Sequence, residues 1–257
     1  MSHHIKPRSI RSYLSGICQQ LEPYYPNVRA SQNTPLVDRT MKGCLCLHST
    51  AIKQKQALTI LDLSKVIVDL NNSRNHDNFL LQALLLTGFF ALMHLGELTF
   101  PNDISLRNWR KVTKHSSVIV SANQYKFHLP SHKADAFFEG NHIIIKCRWY
   151  CDINPLTAFT TYLDSCDWKF PLSSPLWLTS SGLVPTHQFY IAWLRRYFEQ
   201  DIAGQSMRAG GATSLVENNV PPSLIQLIGH WSSDAFFIYI CKSPVLIQAL
   251  LYSQQPP

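Results

Sequence analysis

Apolar and polar positions along this chain follow two different periods, and the change from one to the other marks its organisation. Helical spacing runs through residues 10–21 and 35–48, two short helices separated by the stretch Pro23-Tyr24-Tyr25-Pro26. The polar, basic run Lys53-Gln54-Lys55-Gln56 then gives way to Thr59-Ile60-Leu61-Asp62. In that signal a hydroxyl and a carboxylate three residues apart satisfy backbone donors reciprocally, and it opens an apolar helix. A domain boundary is expected here, dividing residues 1–55 from residues 56–257. Beyond it a long apolar helix is expected to reach about Leu95. Its segment from Phe79 to Leu95 has nearly the length of a membrane span, but Gln82, Thr87, Gly88 and His94 interrupt it, so it reads as a buried core helix.

The period then shortens to two. The runs 117–120, 124–129 and 142–147 are β-branched or alternating, and turn-forming residues separate them, which predicts three antiparallel strands. Helical spacing returns in 155–165, 187–200, 209–217, 222–228 and 233–240. Pro221 and Pro222 suit the start of the fourth of these, and Gly229 suits its end. The expected class is mainly α with a small antiparallel β-sheet.

Composition narrows the function classes. Hydrophobic residues make up 46% of the 257 residues and charged ones 15%, the balance of a folded globular chain. Of the formal net charge of +7, residues 1–55 carry +6, from eight Lys and Arg against Glu22 and Asp38. Such a segment releases counterions from a polyanion, so nucleic acid is the natural partner, with a merely solvated basic surface as the alternative. No amphipathic basic helix or lipidation motif points to a membrane. Seven cysteines, an odd number without a signal peptide, are expected to be reduced in an intracellular protein. Cys44, Cys46, Cys147 and Cys151 have spacings unlike those of structural zinc sites, so no metal or cofactor is expected.

The chemistry concentrates late in the chain, in Gln205-Ser206-Met207-Arg208, then Gly229-His230-Trp231, then Phe237-Ile238-Tyr239. In order and spacing these segments resemble the tyrosine recombinase (phage-integrase-like) family, and within it the integrase-like proteins of eukaryotic mobile elements. Upstream, Thr87-Gly88 and His94-Leu95-Gly96-Glu97-Leu98 resemble the family's Thr-Gly and Arg-x-x-Glu-Leu box, and Lys133 stands in a turn where the family has its lysine. The likeness covers roughly residues 58–250. Residues 1–55 resemble only the later part of the family's helical core-binding domain.

What the resemblance implies is a recombinase catalytic-domain fold over 56–257, preceded by a partial core-binding, DNA-binding domain. It implies site-specific cleavage and rejoining of double-stranded DNA through a 3′-phosphotyrosine. Tyr239 would be the nucleophile, Arg208 a phosphate clamp, His230 a phosphate hydrogen-bond donor and Lys133 the general acid. That chemistry uses neither metal nor nucleotide. The family acts as oligomers on DNA, often tetramers, that exchange a C-terminal element. Here residues 245–252, with Leu246, Leu250 and Leu251, would serve that exchange in the nucleus.

Two positions depart from the family pattern. His94 stands where an arginine is expected, and a histidine offers at most two donors instead of five. Gln205 replaces a histidine and cannot shuttle a proton. Together they imply a degenerate site with weakened cleavage. Further DNA-backbone contacts are expected from Lys53 and Lys55 and from the patch Arg107, Arg110, Lys111 and Lys114. The alternative is a non-catalytic DNA-binding protein derived from a mobile-element integrase, in which residues 209–228 act as a helix-turn-helix. Leu224, Ile225, Leu227 and Ile228 make its second helix more apolar than that role requires.

Overall fold

The computed structural model describes residues 5–49, 55–72, 75–131, 138–147, 153–199 and 201–231. The chain divides into two compact units, 1–54 and 55–257. In the first, α1 (Ile10–Leu21), α2 (Val28–Gln32) and α3 (Pro35–His48) are short helices. Pro35 at its first turn starts α3, and α2 is an addition to the two helices expected from the sequence. Ile10 and Cys18 are the buried apolar side chains of this unit among the described residues. Asp38 lies 2.8 Å from Lys42 and 3.4 Å from Arg11, and Lys42 holds its carboxyl below the usual range.

The second unit opens with α4 (Ile60–Asn71), whose N-cap is the expected one: Asp62 N–H donates to Thr59 Oγ1 and Thr59 N–H donates to the Asp62 carboxylate at 3.0 Å. The single long helix expected as far as Leu95 is interrupted twice. It first stops at Asn71, and α5 (His76–Phe90) restarts under an Asn75 cap that accepts from Asn78 N–H at 2.8 Å. The run Asn71-Asn72-Ser73-Arg74-Asn75 is turn chemistry, and it overrides the apolar periodicity on both sides. The second break follows Phe90, where Leu92 takes a left-handed φ of 53° before the four-residue α6 (Leu95–Leu98).

From His76 to Phe89 every residue of α5 is buried except Asp77 and Phe79, as expected for a core helix. A side chain such as Leu80 or Leu84, fully removed from water, contributes about 1.5–3 kcal/mol. Among the described residues no helix is long and apolar enough to cross a membrane. Helix α5 packs against α4, α7 (Pro155–Lys169) and α9 (Gly204–Glu217).

The sheet is antiparallel in the order β1 (Ile119–Ser121), β2 (Gln124–Leu129), β3 (Asn141–Lys146), with Phe127 opposite Ile143. Strand β2 sends Tyr125, Phe127 and Leu129 inward, and the Tyr125 ring stacks on Phe159 of α7 at 4.0 Å between centroids. The Tyr125 hydroxyl meets Thr87 Oγ1 at 2.8 Å, so the Thr of the Thr-Gly pair ties α5 to the sheet. Helices α8 (His187–Leu194) and α10 (Pro222–Ile228) complete the described α-helices. The expected mainly α class with a small antiparallel sheet is borne out. The helix expected at 233–240 lies outside the described residues.

Candidate active site

Small residues place the site. A Cβ on Gly210 would sit 2.0 Å from the Leu58 carbonyl oxygen, and one on Gly211 would sit 2.0 Å from that of Phe89. Only glycine lets α9 come this close to the end of α5. The approach carries Arg208, one turn earlier on α9, under the turn that joins α5 to α6.

Arg208 is 4% exposed. Its Nη1 donates to the Leu92 carbonyl at 2.6 Å and its Nη2 donates to the Gly229 carbonyl. The guanidinium also lies 4.0 Å from the centre of the Trp231 ring, a cation–π contact. One planar cation therefore joins the segment two residues before His94 to the residue before His230. Beside it, Glu97 Oε2 accepts from His94 N–H at 2.7 Å. Burial pushes the Glu97 carboxyl above its usual range, while the His94 N–H and the Arg208 charge pull it down.

Three solved structures share this arrangement of elements. XerA recombinase matches 98% of this chain over 84% of its own, with a TM-score of 0.56 at 15% identity. A Tn1549 transposon integrase in complex with circular intermediate DNA matches 99% over 80%, with a TM-score of 0.54 at 13% identity. XerH site-specific recombinase bound to its difH substrate matches 98% over 71%, with a TM-score of 0.53 at 13% identity. The chain has a tyrosine recombinase-like fold. No protein-family model matches the sequence, and no curated protein does.

On this tyrosine recombinase-like fold the expected residues take distinct positions. Gln205 is exposed on α9, three residues before Arg208 and so on the same face. His230 is exposed at the end of α10 with a left-handed φ of 52°. Gly229 before it is required, since a Cβ there would lie 1.9 Å from Trp231 Cζ3. Tyr239 and Lys133 lie outside the described residues, as does Lys53. The structure thus gathers the His94–Glu97 box, Arg208 and the Gly229-His230 pair.

Trp231 was not singled out from the sequence. Its signal is an aromatic directly after Gly-His, and only the folded chain shows the ring lying on Arg208.

The basic patch is less uniform than expected. Arg107 braces its own loop, donating to the carbonyls of Pro101 at 3.1 Å and Asn102 at 3.2 Å. Arg110 stacks over Phe138 at 4.6 Å, and Lys111, Lys114 and Lys55 are exposed. Among the described residues no three His, Cys, Asp or Glu side chains gather as a metal-holding group. Helix α10 buries Ile225 alone and exposes Leu224, Leu227 and Ile228, an apolar surface unlike a polar recognition helix.

Proposed function

We propose that this chain is a DNA-binding tyrosine recombinase or integrase-like protein whose strand cleavage is attenuated. The observation that carries the reading is the convergence on Arg208 of the carbonyls that precede His94 and His230, within a recombinase-like fold. XerH bound to difH and the Tn1549 integrase with its DNA support double-stranded DNA as the substrate.

In the proposed reaction the Tyr239 hydroxyl gives its proton to solvent as it attacks a phosphodiester phosphorus, the new P–O bond replaces the P–O5′ bond, and the 5′-oxygen leaves with a proton from Lys133. Arg208 and His230 stabilise the charge that builds on the non-bridging oxygens. At the two remaining positions His94 supplies fewer donors than an arginine and Gln205 supplies no proton. Lys53, Lys55, Arg110, Lys111 and Lys114 hold the DNA backbone, with Arg107 bracing the patch. The reading includes a tetramer on DNA joined through residues 245–252, at work in the nucleus. Residues 1–55 act in it as the partial core-binding domain and residues 56–257 as the catalytic one.

A second reading, a non-catalytic DNA-binding descendant of an integrase, is favoured by the 4% exposure of Arg208, which leaves little room for a phosphate. Nicked suicide DNA substrates separate the two. Under the first reading wild type forms a weak covalent adduct that Tyr239→Phe abolishes. His94→Arg with Gln205→His then strengthens it about a hundredfold, the usual worth of one restored transition-state donor. Equal adduct from wild type and the double variant would refute the attenuation. DNA binding with no adduct from either would establish the second reading.

A further inference from the structure

Two short 3₁₀ turns, Trp109–Lys111 and His115–Ser117, border a cavity of about 480 Å³ at the end of β2. Its lining includes Trp109, Arg110, Lys114, Ser116, His128 and Phe138. Local bonds fix these turns. Asn108 Oδ1 accepts from Arg110 N–H at 2.9 Å in the first. In the second, Ser117 Oγ donates to the Lys114 carbonyl at 2.7 Å and accepts from His128 N–H at 3.2 Å, which ties the turn to the strand.

The chemistry of this lining is open to an occupant. Trp109 is 66% exposed, and Arg110, Lys114 and Ser116 are exposed as well. Phe100 meets the Trp109 ring at right angles, with centroids 5.0 Å apart and planes at 87°. Whichever ring presents its edge, at least one face of the indole is left uncovered by Phe100. Arg110 is held over Phe138, its guanidinium carbon 4.6 Å from the ring centre. Phe138 itself has a left-handed φ of 59°, a conformation that a bulky side chain keeps only where its surroundings impose it. Among the described residues no carboxylate lines the cavity, so its two cations are not balanced there.

We propose that this cavity holds one unpaired nucleotide of DNA, its base stacked on Trp109 and its phosphate paired with Arg110 and Lys114. The inference rests on the DNA-binding reading above and names the form of DNA that this surface selects. Two cations call for an anion, and an accessible indole face calls for a flat π-system. A nucleotide carries both in one unit. Within a continuous duplex the two faces of a base are covered by its neighbours, so only a base outside the stack can lie on an indole. The volume is of the right scale, since small-ligand sites run to about 300–1,000 Å³. Every base has a π-face, so the site is expected to tolerate any of the four. The two cations also serve continuous duplex through its backbone, whereas Trp109 acts on the unpaired base alone.

Equilibrium binding of the full chain to three DNA duplexes of one sequence tests this: continuous, with a one-nucleotide bulge, and with an abasic bulge that keeps the extra phosphate but has no base. Wild type should bind the bulged duplex more tightly than either of the others. Trp109→Ala should weaken the bulged duplex about 5- to 150-fold, the worth of one base stacked on an aromatic ring, and the continuous duplex far less. Trp109→Phe, which keeps a ring, should retain part of the preference. Arg110→Met and Lys114→Met should each weaken bulged and continuous duplexes alike and lower the salt slope by about one. Because Trp109 is exposed, an unchanged Tm is expected for its variants. Equal binding of the bulged and abasic duplexes, or a preference that survives Trp109→Ala, would overturn the inference while leaving the DNA-binding reading in place. Failure to bind any of the three would overturn both.

Discussion

The Arg208 guanidinium lies 4.0 Å from the centre of the Trp231 ring, and its two terminal nitrogens donate to the carbonyls of Leu92 and Gly229. The guanidinium is thus a brace for the backbone around it. Arg208→Met, similar in length but without donors, leaves two carbonyls without it. It should cost about 2–4 kcal/mol in urea unfolding, far more than a surface change such as Arg110→Met at about 0.5 kcal/mol or less. An Arg208→Met protein as stable as wild type would show that the residue has no structural role.

Glycine has opposite meanings in the two units. Gly210→Ala or Gly211→Ala drives a methyl into a backbone carbonyl oxygen at 2.0 Å and should destabilise by several kcal/mol, on the order of a severe overpacking change. Gly16→Ala on α1 and Gly43→Ala on α3 meet nothing within 4 Å. Each should stabilise its helix by about 0.5–1 kcal/mol. Thermal unfolding of the four variants tests both signs.

The buried contact between Thr87 and Tyr125 should obey the asymmetry of hydrogen bonding in a core. Tyr125→Phe leaves the Thr87 hydroxyl without that partner and should cost about 1–3 kcal/mol. Adding Thr87→Val removes the stranded hydroxyl and should recover part of the loss, as read in a double-mutant cycle. Strictly additive losses would mean the two groups do not interact.

Glu97 should impose a pH dependence of defined sign. Burial, the largest influence, raises its carboxyl above the ordinary value of 4.5, so between that value and the raised one the folded state keeps a proton that the unfolded chain has released. Its contribution is fully present below 4.5 and is lost as pH rises through the folded value. Glu97→Gln stays neutral throughout. Its stability relative to wild type should therefore improve as pH rises from 4 toward neutrality and then level off. A relative loss over the same range would mean that the His94 N–H and the Arg208 charge together outweigh burial.

Several elements were legible because their causes are local. Pro35, the Thr59–Asp62 pair and Pro222 act within one turn of the helices they start, and the alternation in β2 reports its buried face directly. The break between α4 and α5 was equally local, written in Asn71 to Asn75, but an apolar pattern on either side masked it. The turn at Leu92 was not legible, because a left-handed leucine has no local signature and depends on what the following segment packs against.

The candidate site divides in the same way. By itself the sequence determined which residue types stand at which spacings, so Arg208, Gly229-His230 and the His94 box could be assigned in order. Tertiary structure alone decided what those residues touch. The partners of Arg208 come from positions 116 and 21 residues away. Local rules reach about one helical turn, whereas burial and electrostatic environment arise when distant segments pack.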